Sequence, residues 1–325
     1  VVWPFAGLLF VPLGLHALWV QGPFRALMVA IASFLFWSCV SLSIDSIFYG
    51  RTVLPALQIL RYNVLESSSG GAELYGVEPW HFYMLNGFLN LNASLLAAAA
   101  LPILTVMVLL LRFLQVPEVP ALGPSSLPAV LGVCSAAFLW FGFFSAIPHK
   151  EERFLVPSYP ILILAAAASL QWVTSLVAGA CRYLEGPWLE ALARRCCVTA
   201  FMLVAGGLGA SRIAALHTGY TAPVTIYAAL SERLAELRTS RGRLPTHVCI
   251  GGEWHRFMTS FFLPDSADHL AYVRFGPTGL LPAEFNVTLG TSGIPPHMND
   301  RNLEEASRYI DPRLCDFLID LDLGG

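Results

Sequence analysis

The chain has 325 residues, 56% of them hydrophobic and only 13% charged, with a mean hydropathy of +0.62. Soluble domains average roughly 25% charged residues, so this composition excludes a water-covered globule, a disordered chain and a coiled coil alike. A formal net charge of -3 and a pI near 6.2 lack the basic footprint of a nucleic-acid binder, and the seven cysteines form no C-x-x-C pair and no Cys/His array at zinc spacing.

What fits is a mainly α, polytopic membrane helix bundle with a small α/β domain at its C-terminal end. A spanning helix needs about 20 uncharged residues, and six segments meet or approach that: 1–20, 26–44, 85–111, 127–147, 154–181 and 196–216. The first opens on Val1 with no initiator Met and no basic stretch before it, which argues against a signal peptide and for a chain that begins inside a longer protein. The closing Leu323-Gly324-Gly325 allows the same reading at the other end. Pro157 and Pro160 stand near the start of the fifth segment, where proline disturbs a helix least. Arg212 lies near one end of the sixth, placed to snorkel. The alanine runs 97–100 and 165–168 read as small-residue helix packing.

If the segments cross in alternation, one side receives Arg25, Arg112, Arg182, Arg194 and Arg195 in short loops, and the other receives 45–84, 148–153 and the tail after 216. Positive-inside reasoning puts the arginine loops in the cytosol, by a thin margin because Arg51, Arg61, Lys150 and Arg153 fall on the other side. Two sequons agree with that orientation: Asn92-Ala93-Ser94, set very near the membrane, and Asn286-Val287-Thr288, the candidate glycosylation site.

From about 217 the pattern changes. Tyr227, Leu230, Leu234 and Leu237 recur at helical spacing, with Glu232, Arg233, Glu236 and Arg238 on other faces, and strand-like runs 247–250, 269–275 and 316–321 follow. The domains are therefore 1–216, a transmembrane bundle with loops 45–84 and 148–153, and 217–325, a soluble α/β domain on the same side as those loops. Cys249 and Cys315 both fall in it. In an oxidising lumen they either pair as a disulfide or stay as two buried thiols.

Three polar features need an explanation. Pro148-His149-Lys150-Glu151-Glu152-Arg153-Phe154 joins two apolar segments with almost no linker. Ordinary turns use Gly, Asn and Ser. Two cations and an imidazole beside two carboxylates instead suit a lipid-linked phosphate, with Arg153 as a bidentate fork and Lys150 as a point charge. Glu151 and Glu152 would orient those cations or meet a sugar hydroxyl; a hydrophilic interfacial turn is the alternative. The loop 45–84 interleaves Asp45, Arg51, Tyr62-Asn63, Tyr75-Gly76 and Glu78 with Trp80, a surface of the kind that stacks on sugar rings. An interfacial aromatic belt accounts for Trp80 and Tyr83 but poorly for Asp45, Arg51 and Glu78. In the tail, Gly251-Gly252-Glu253-Trp254-His255-Arg256-Phe257 and the stretch from Met298-Asn299-Asp300 to Glu305 read as structural loops before sites, with Asn302 and Glu305 spaced as a capping box.

At His149-Lys150-Glu151-Glu152-Arg153-Phe154 the sequence resembles the signature of the dolichyl-phosphate-mannose-dependent mannosyltransferases of the endoplasmic reticulum, the family 22 glycosyltransferases. The likeness extends over most of the chain, through Asp45-Ser46, Tyr49-Gly50, Leu74-Tyr75-Gly76, Glu78-Pro79-Trp80, Asn86-Gly87-Phe88-Leu89-Asn90, Glu253-Trp254-His255-Arg256-Phe257 and Ser307-Arg308-Tyr309-Ile310-Asp311. The double glutamate and the tail blocks resemble the alpha-1,2 branch of that family, which builds lipid-linked oligosaccharides for N-glycosylation, more than its alpha-1,6 or glycosylphosphatidylinositol branches.

The resemblance implies a GT-C fold with a luminal active site, dolichyl phosphate mannose as donor, a dolichyl-diphosphate oligosaccharide as acceptor, endoplasmic reticulum membrane lipid around the bundle, and inversion at the anomeric carbon. It implies no nucleotide sugar and no nucleic acid, and it sets no firm expectation of a metal or other cofactor. On it, His149, Lys150 and Arg153 neutralise the donor phosphate, while Asp45, Arg51, Glu78, Trp80 and Glu151 bind sugar or acceptor. The family's catalytic base lies in a first luminal loop that should precede Val1, so no base is assigned and the chain by itself is expected to lack activity. A transporter, which also carries ionisable residues near helix ends, and a non-catalytic membrane scaffold are the rival readings.

Overall fold

The computed structural model describes residues 4–65, 72–116, 119, 126–242, 245–255, 259–265, 268–276, 278–283, 286, 288–290, 293–295, 297–299 and 301–321. Val1, Arg256, Phe257, Asp300 and the closing Leu323-Gly324-Gly325 lie outside them. Among the described residues six helices are long and apolar enough to cross a membrane, and the chain divides into two compact units between Ile213 and Ala214.

The helices run in chain order as α1 (Gly7–Gln21), α2 (Pro23–Tyr49), the short α3 (Pro55–Leu60), α4 (Phe82–Leu91), α5 (Ala93–Phe113), α6 (Ser126–Ala146), α7 (Tyr159–Glu185) and α8 (Pro187–Tyr220). The fifth segment, 154–181, resolves into a 3-10 stretch and α7, and α8 starts at Pro187 rather than 196, so Arg194 and Arg195 lie on a helix and not in a loop. Two further boundaries differ from the apolar segmentation for a visible reason. The second segment was bounded at 44 by the charge of Asp45, yet α2 continues to Tyr49 and stops at Gly50, which takes the left-handed cap at φ 63°. Asp45 therefore lies on the helix rather than at the start of a loop, and Ser41 Oγ, one turn earlier, donates to its carboxylate at 2.7 Å. The third segment, 85–111, is two helices. Asn92 breaks it at φ 43° and ψ -122°. Its Oδ1 accepts from Ala93 N at 2.6 Å and its Nδ2 donates to Ala205 O of α8 at 3.3 Å, so the side chain supplies partners where the helical ladder is interrupted.

The main core of the bundle is the α5–α7 seam, where Ala98, Leu101 and Val108 meet Leu162, Ala165, Ala166 and Trp172. The alanines let the two backbones approach closely, which is how helices associate where lipid removes the hydrophobic incentive. A second, aromatic core of Phe5, Leu9, Tyr83, Trp140, Phe144 and Leu155 lies at the α6–α7 corner. By contrast α2 and α8 bury no residue within the chain. Apolar surfaces of that extent rest against lipid tails, not water. The 34 residues of α8 rise to about 51 Å at 1.5 Å per residue, so its ends stand outside a hydrocarbon core of roughly 30 Å.

The second unit is built on a three-stranded parallel sheet of β1 (Thr246–Ile250), β2 (Asp268–Tyr272) and β3 (Phe317–Ile319) in the order β2-β1-β3. The helix α9 (Ala222–Arg241) lays Tyr227, Leu230 and Leu234 against Val248, Ile250, Tyr272 and Leu281, the face marked by the apolar spacing. β2 ends before the run 269–275 does, because its partner β1 ends at Ile250, opposite Tyr272; on its other edge Tyr272 forms an isolated bridge to Tyr309. Asn302 does not open a helix. Its φ of 52° is foreign to an N-cap, its Oδ1 accepts from Leu280 N at 3.0 Å, and Glu305 itself caps the short turn Ala306–Arg308.

A disulfide joins Cys249 of β1 to Cys315, with Cα atoms 5.8 Å apart and a sequence separation of 66. Closing a loop of that size stabilises a fold by about 4 kcal/mol in the chain-entropy account. Reductant is expected to lower the urea midpoint of this unit, read by pulse proteolysis; a midpoint indifferent to reductant would mean the bond does not contribute.

Candidate active site

Pro148 cannot extend α6, and the chain runs extended to Glu151, at φ -129° and ψ 145°, which opens the short 3-10 segment Glu152–Ser158 ahead of α7. Trp140 of α6 donates from Nε1 to Phe154 O at 3.0 Å and ties the far side of the corner to the helix before it.

The corner is stitched to the long connection between α3 and α4. Glu78 N donates to Pro148 O at 3.0 Å, Lys150 Nζ donates to Glu78 O at 2.8 Å, and His149 Nδ1 lies 2.9 Å from Gly76 O. Gly76 sits at φ 102°, a backbone state that side chains resist and glycine accepts.

The three basic residues expected to form one phosphate clamp take three different roles. Lys150 is 6% exposed. Besides Glu78 O, its ammonium donates to Ile147 O at 2.6 Å and approaches Pro148 O at 3.5 Å. With its protons committed to carbonyls it staples the corner and offers no free point charge. Burial lowers its pKa, against the opposing pull of the Glu78 carboxylate. His149 has Gly76 O on one nitrogen and Glu151 Oε1, at 3.0 Å, on the other. Arg153 is the open one of the three, with 76% of its side chain exposed. Its Nε meets Glu151 Oε2 and its Nη2 donates to Glu151 Oε1 at 2.8 Å. That side-on fork leaves the Nη1 donors for a ligand.

Glu151, expected to bind sugar or acceptor, is thus the hub of the cluster, a carboxylate shared by an imidazole and a guanidinium. Beneath it Tyr83 of α4 is fully buried and faces the Glu151 backbone; burial pushes the phenol pKa up, so it stays neutral.

Two cavities share a wall here. One, of about 770 Å³, is lined by His149, Lys150, Glu151 and Arg153 with Tyr62, Asn63, Tyr75, Phe144 and Phe154 among others. The second, of about 670 Å³, shares Glu151, Arg153 and Val156 and is completed by Asn90, Glu152 and Tyr159. Asn90 Nδ2 donates to Glu152 Oε1 at 2.5 Å and to Tyr159 OH at 3.1 Å. A cationic fork beside aromatic rings can receive a phosphate carried on an apolar tail. A carboxylate, an amide and a phenol can receive hydroxyl groups. Among the described residues no group of three or more His, Cys, Asp or Glu is placed to hold a metal ion.

The structure brings together His149, Lys150, Glu151 and Arg153, and Glu78 joins them through its backbone. Asp45, Arg51 and Trp80 line neither cavity. Trp80 is 69% exposed and sits edge-on to His81, as a belt residue does. Tyr75 belongs to the interleaved aromatic loop and does line the first cavity, whereas Asn90, named only within a resembling block, and Tyr159 were given no site role. Asn90 carried a signal, an amide inside an apolar run, since such groups are costly there and find work in packing or function. Tyr159 carried none that separates it from ordinary interfacial aromatics.

Residues 1–264 match the model of the Alg9-like mannosyltransferase family. Over 98% of its length the chain is 38% identical to the alpha-1,2-mannosyltransferase ALG9 of Mus musculus, covering 51% of that protein. It is 34% identical, again over 98% of its length, to the alpha-1,2-mannosyltransferase alg9 of Schizosaccharomyces pombe, covering 55%. A shorter similarity, 33% identity over 40% of the chain, reaches 20% of the GPI mannosyltransferase 3 of Debaryomyces hansenii. The chain spans about half the length of the curated relatives it matches over its full extent. No solved structure matches it.

Proposed function

Because the chain belongs to the Alg9-like mannosyltransferase family, we propose that it carries the donor-binding corner of a membrane mannosyltransferase that extends the N-glycan precursor in alpha-1,2 linkage. The donor is dolichyl phosphate mannose and the acceptor a dolichyl-diphosphate oligosaccharide. The observation that carries this reading is the Arg153 fork, held in plane by Glu151, on the wall of an aromatic cavity at the corner between two membrane-crossing helices.

As an acceptor 2-hydroxyl forms its bond to the anomeric carbon and the bond from that carbon to the phosphate oxygen breaks, charge grows on the departing dolichyl phosphate. Arg153 is already aimed at that charge, and a donor that needs no reorganisation is worth most at that moment. Glu151 and His149 position Arg153, and Lys150 keeps the corner in shape. Glu152, oriented by Asn90, meets an acceptor hydroxyl in the second cavity. The hydroxyl proton goes to a base we leave unassigned. Family membership sets aside the transporter reading. Transfer of mannose from dolichyl phosphate mannose, assayed in a chain extended to the full length of the curated relatives, is expected to yield a product cleaved by an alpha-1,2-mannosidase. No transfer, or transfer only from a nucleotide sugar, would overturn the assignment.

Counting crossings puts loops 50–81 and 147–151, and the chain after Tyr220, on one face. We take that face as the lumen of the endoplasmic reticulum, because Arg25, Arg112, Arg182, Arg194 and Arg195 gather at the opposite helix ends. Asn286 is exposed, with its Oδ1 accepting from Thr288 N and Leu289 N at 3.0 Å, whereas Asn92 is held in the α4–α5 break. In endoplasmic reticulum membranes Asn286→Gln is therefore expected to remove a glycosidase-sensitive mobility shift that Asn92→Gln leaves in place. A chain with no shift, or one whose shift depends on Asn92, would contradict this orientation.

A further inference from the structure

The second unit holds a cleft that the transfer reaction does not use. It has a volume of about 550 Å³, and Tyr220, Tyr227, Ile250, Glu253, His255 and Asp320 are among the residues lining it. Its position follows from the sheet. β1 and β3 are parallel neighbours, so their carboxyl ends, at Ile250 and Ile319, open at the same edge. That is the edge where parallel sheets carry their ligands, because the connecting loops diverge there.

The turn after β1 is shaped for close approach. A Cβ at Gly251 would run into Asp320 Oδ2, so only glycine lets that carboxylate fold over the end of the strand. Gly252 N donates to the same oxygen at 3.2 Å, and Leu321 N donates to Oδ1 at 2.9 Å. His255 Nδ1 lies 3.0 Å from Gly252 O, which sets the ring against the same turn. Backbone groups and a glycine pair thus hold Asp320 and His255 in place before any ligand arrives, the condition under which a polar cleft binds selectively.

The chemistry of the lining selects among ligand classes. Among the described residues lining the cleft, two carboxylates, Glu253 and Asp320, accompany one imidazole, His255, so a phosphate or carboxylate would meet net negative charge. A wholly apolar ligand would strip water from carboxylates without replacing it, a costly exchange. A neutral sugar fits both demands. Its hydroxyls donate to the carboxylates, and its C–H faces rest on aromatic rings such as Tyr220, which is 63% exposed. We propose that this cleft binds a neutral oligosaccharide. Burial raises the pKa of Tyr227, with the Thr259 backbone opposing, so its phenol stays an uncharged partner. That the sugar is the neutral mannose arm of the acceptor rests on the reaction proposed above; the affinity of the cleft for sugar does not.

The test is titration of the whole chain in detergent with a soluble, neutral mannose oligosaccharide, read by isothermal calorimetry. Tyr220→Ala and Glu253→Gln are each expected to weaken binding about tenfold, the loss of one stacking face or one charged hydrogen bond. Survival of the Cys249–Cys315 bond, read by mass after alkylation without reductant, reports that the unit has folded. Equal binding by parent and both folded variants, no saturable binding by the parent, or tighter binding of pyrophosphate than of the oligosaccharide would each overturn the proposal. Since binding is read without turnover, a negative result leaves the reaction at Arg153 standing, and failed transfer leaves this cleft standing.

Discussion

Arg153→Ala, in a chain extended to the full length of its curated relatives, is expected to slow mannose transfer by about two orders of magnitude while folding and membrane insertion are kept. The size follows from removing one preorganised donor aimed at developing charge. The selectivity follows from the surroundings: the side chain is 76% exposed, and Glu151 retains His149 at 3.0 Å when Arg153 is gone, so no buried charge is orphaned. Arg153→Lys should recover only part of the rate, since a point charge cannot keep two bonds to Glu151 and still present a planar edge to phosphate. Turnover at saturating donor, with size-exclusion profiles beside it, separates the outcomes. Parent-like turnover in Arg153→Ala would remove the phosphate site from this corner.

Lys150→Met is expected to fail in the opposite way. Lys150 is 6% exposed, and its ammonium donates to the carbonyls of Glu78 and Ile147. Losing a charged donor to buried acceptors costs about 2–4 kcal/mol, so the thermal midpoint and the yield of folded protein should drop. Activity should fall chiefly through that loss. Lys150→Arg should not rescue it, because a planar fork cannot converge on carbonyls arranged around one nitrogen. A Lys150→Met protein with the parent's midpoint would refute the staple.

The contrast between these residues shows where sequence pattern stops being informative. Lys150 and Arg153 stand in one polar run, and nothing local distinguishes them. What sorts them is the loop lying across the run, which brings the carbonyls of Gly76 and Glu78 from 73 and 72 residues away. Hydropathy is local, and so the six crossings, the alanine seam of α5 and α7 and the buried stripe of α9 could all be read in advance. Charge is local too but ambiguous. Asp45 looked like a helix end, and only Ser41, one turn back, explains how it stays on α2. Asn92 hid in an apolar run because hydropathy averages over a single amide, whereas the backbone breaks at that one residue.

The second cavity adds a consequence for substrate geometry. Glu151 and Arg153 belong to both walls, so a group bound on one side is felt on the other through the same salt bridge. On the reaction proposed above, donor and acceptor would bind side by side with their chemistries kept apart: carbonyl-bound Lys150 and aromatic rings on one side, the Asn90–Glu152 pair on the other.

A structure of the chain, extended to the full length of its curated relatives, with dolichyl phosphate mannose added bears most directly on the central claim. The expected result is a phosphate oxygen about 3 Å from the Arg153 guanidinium, in the cavity beside Tyr75, with Glu151 still bridging Arg153 and His149. A phosphate seated away from this corner, with Arg153 turned only to Glu151, would contradict it.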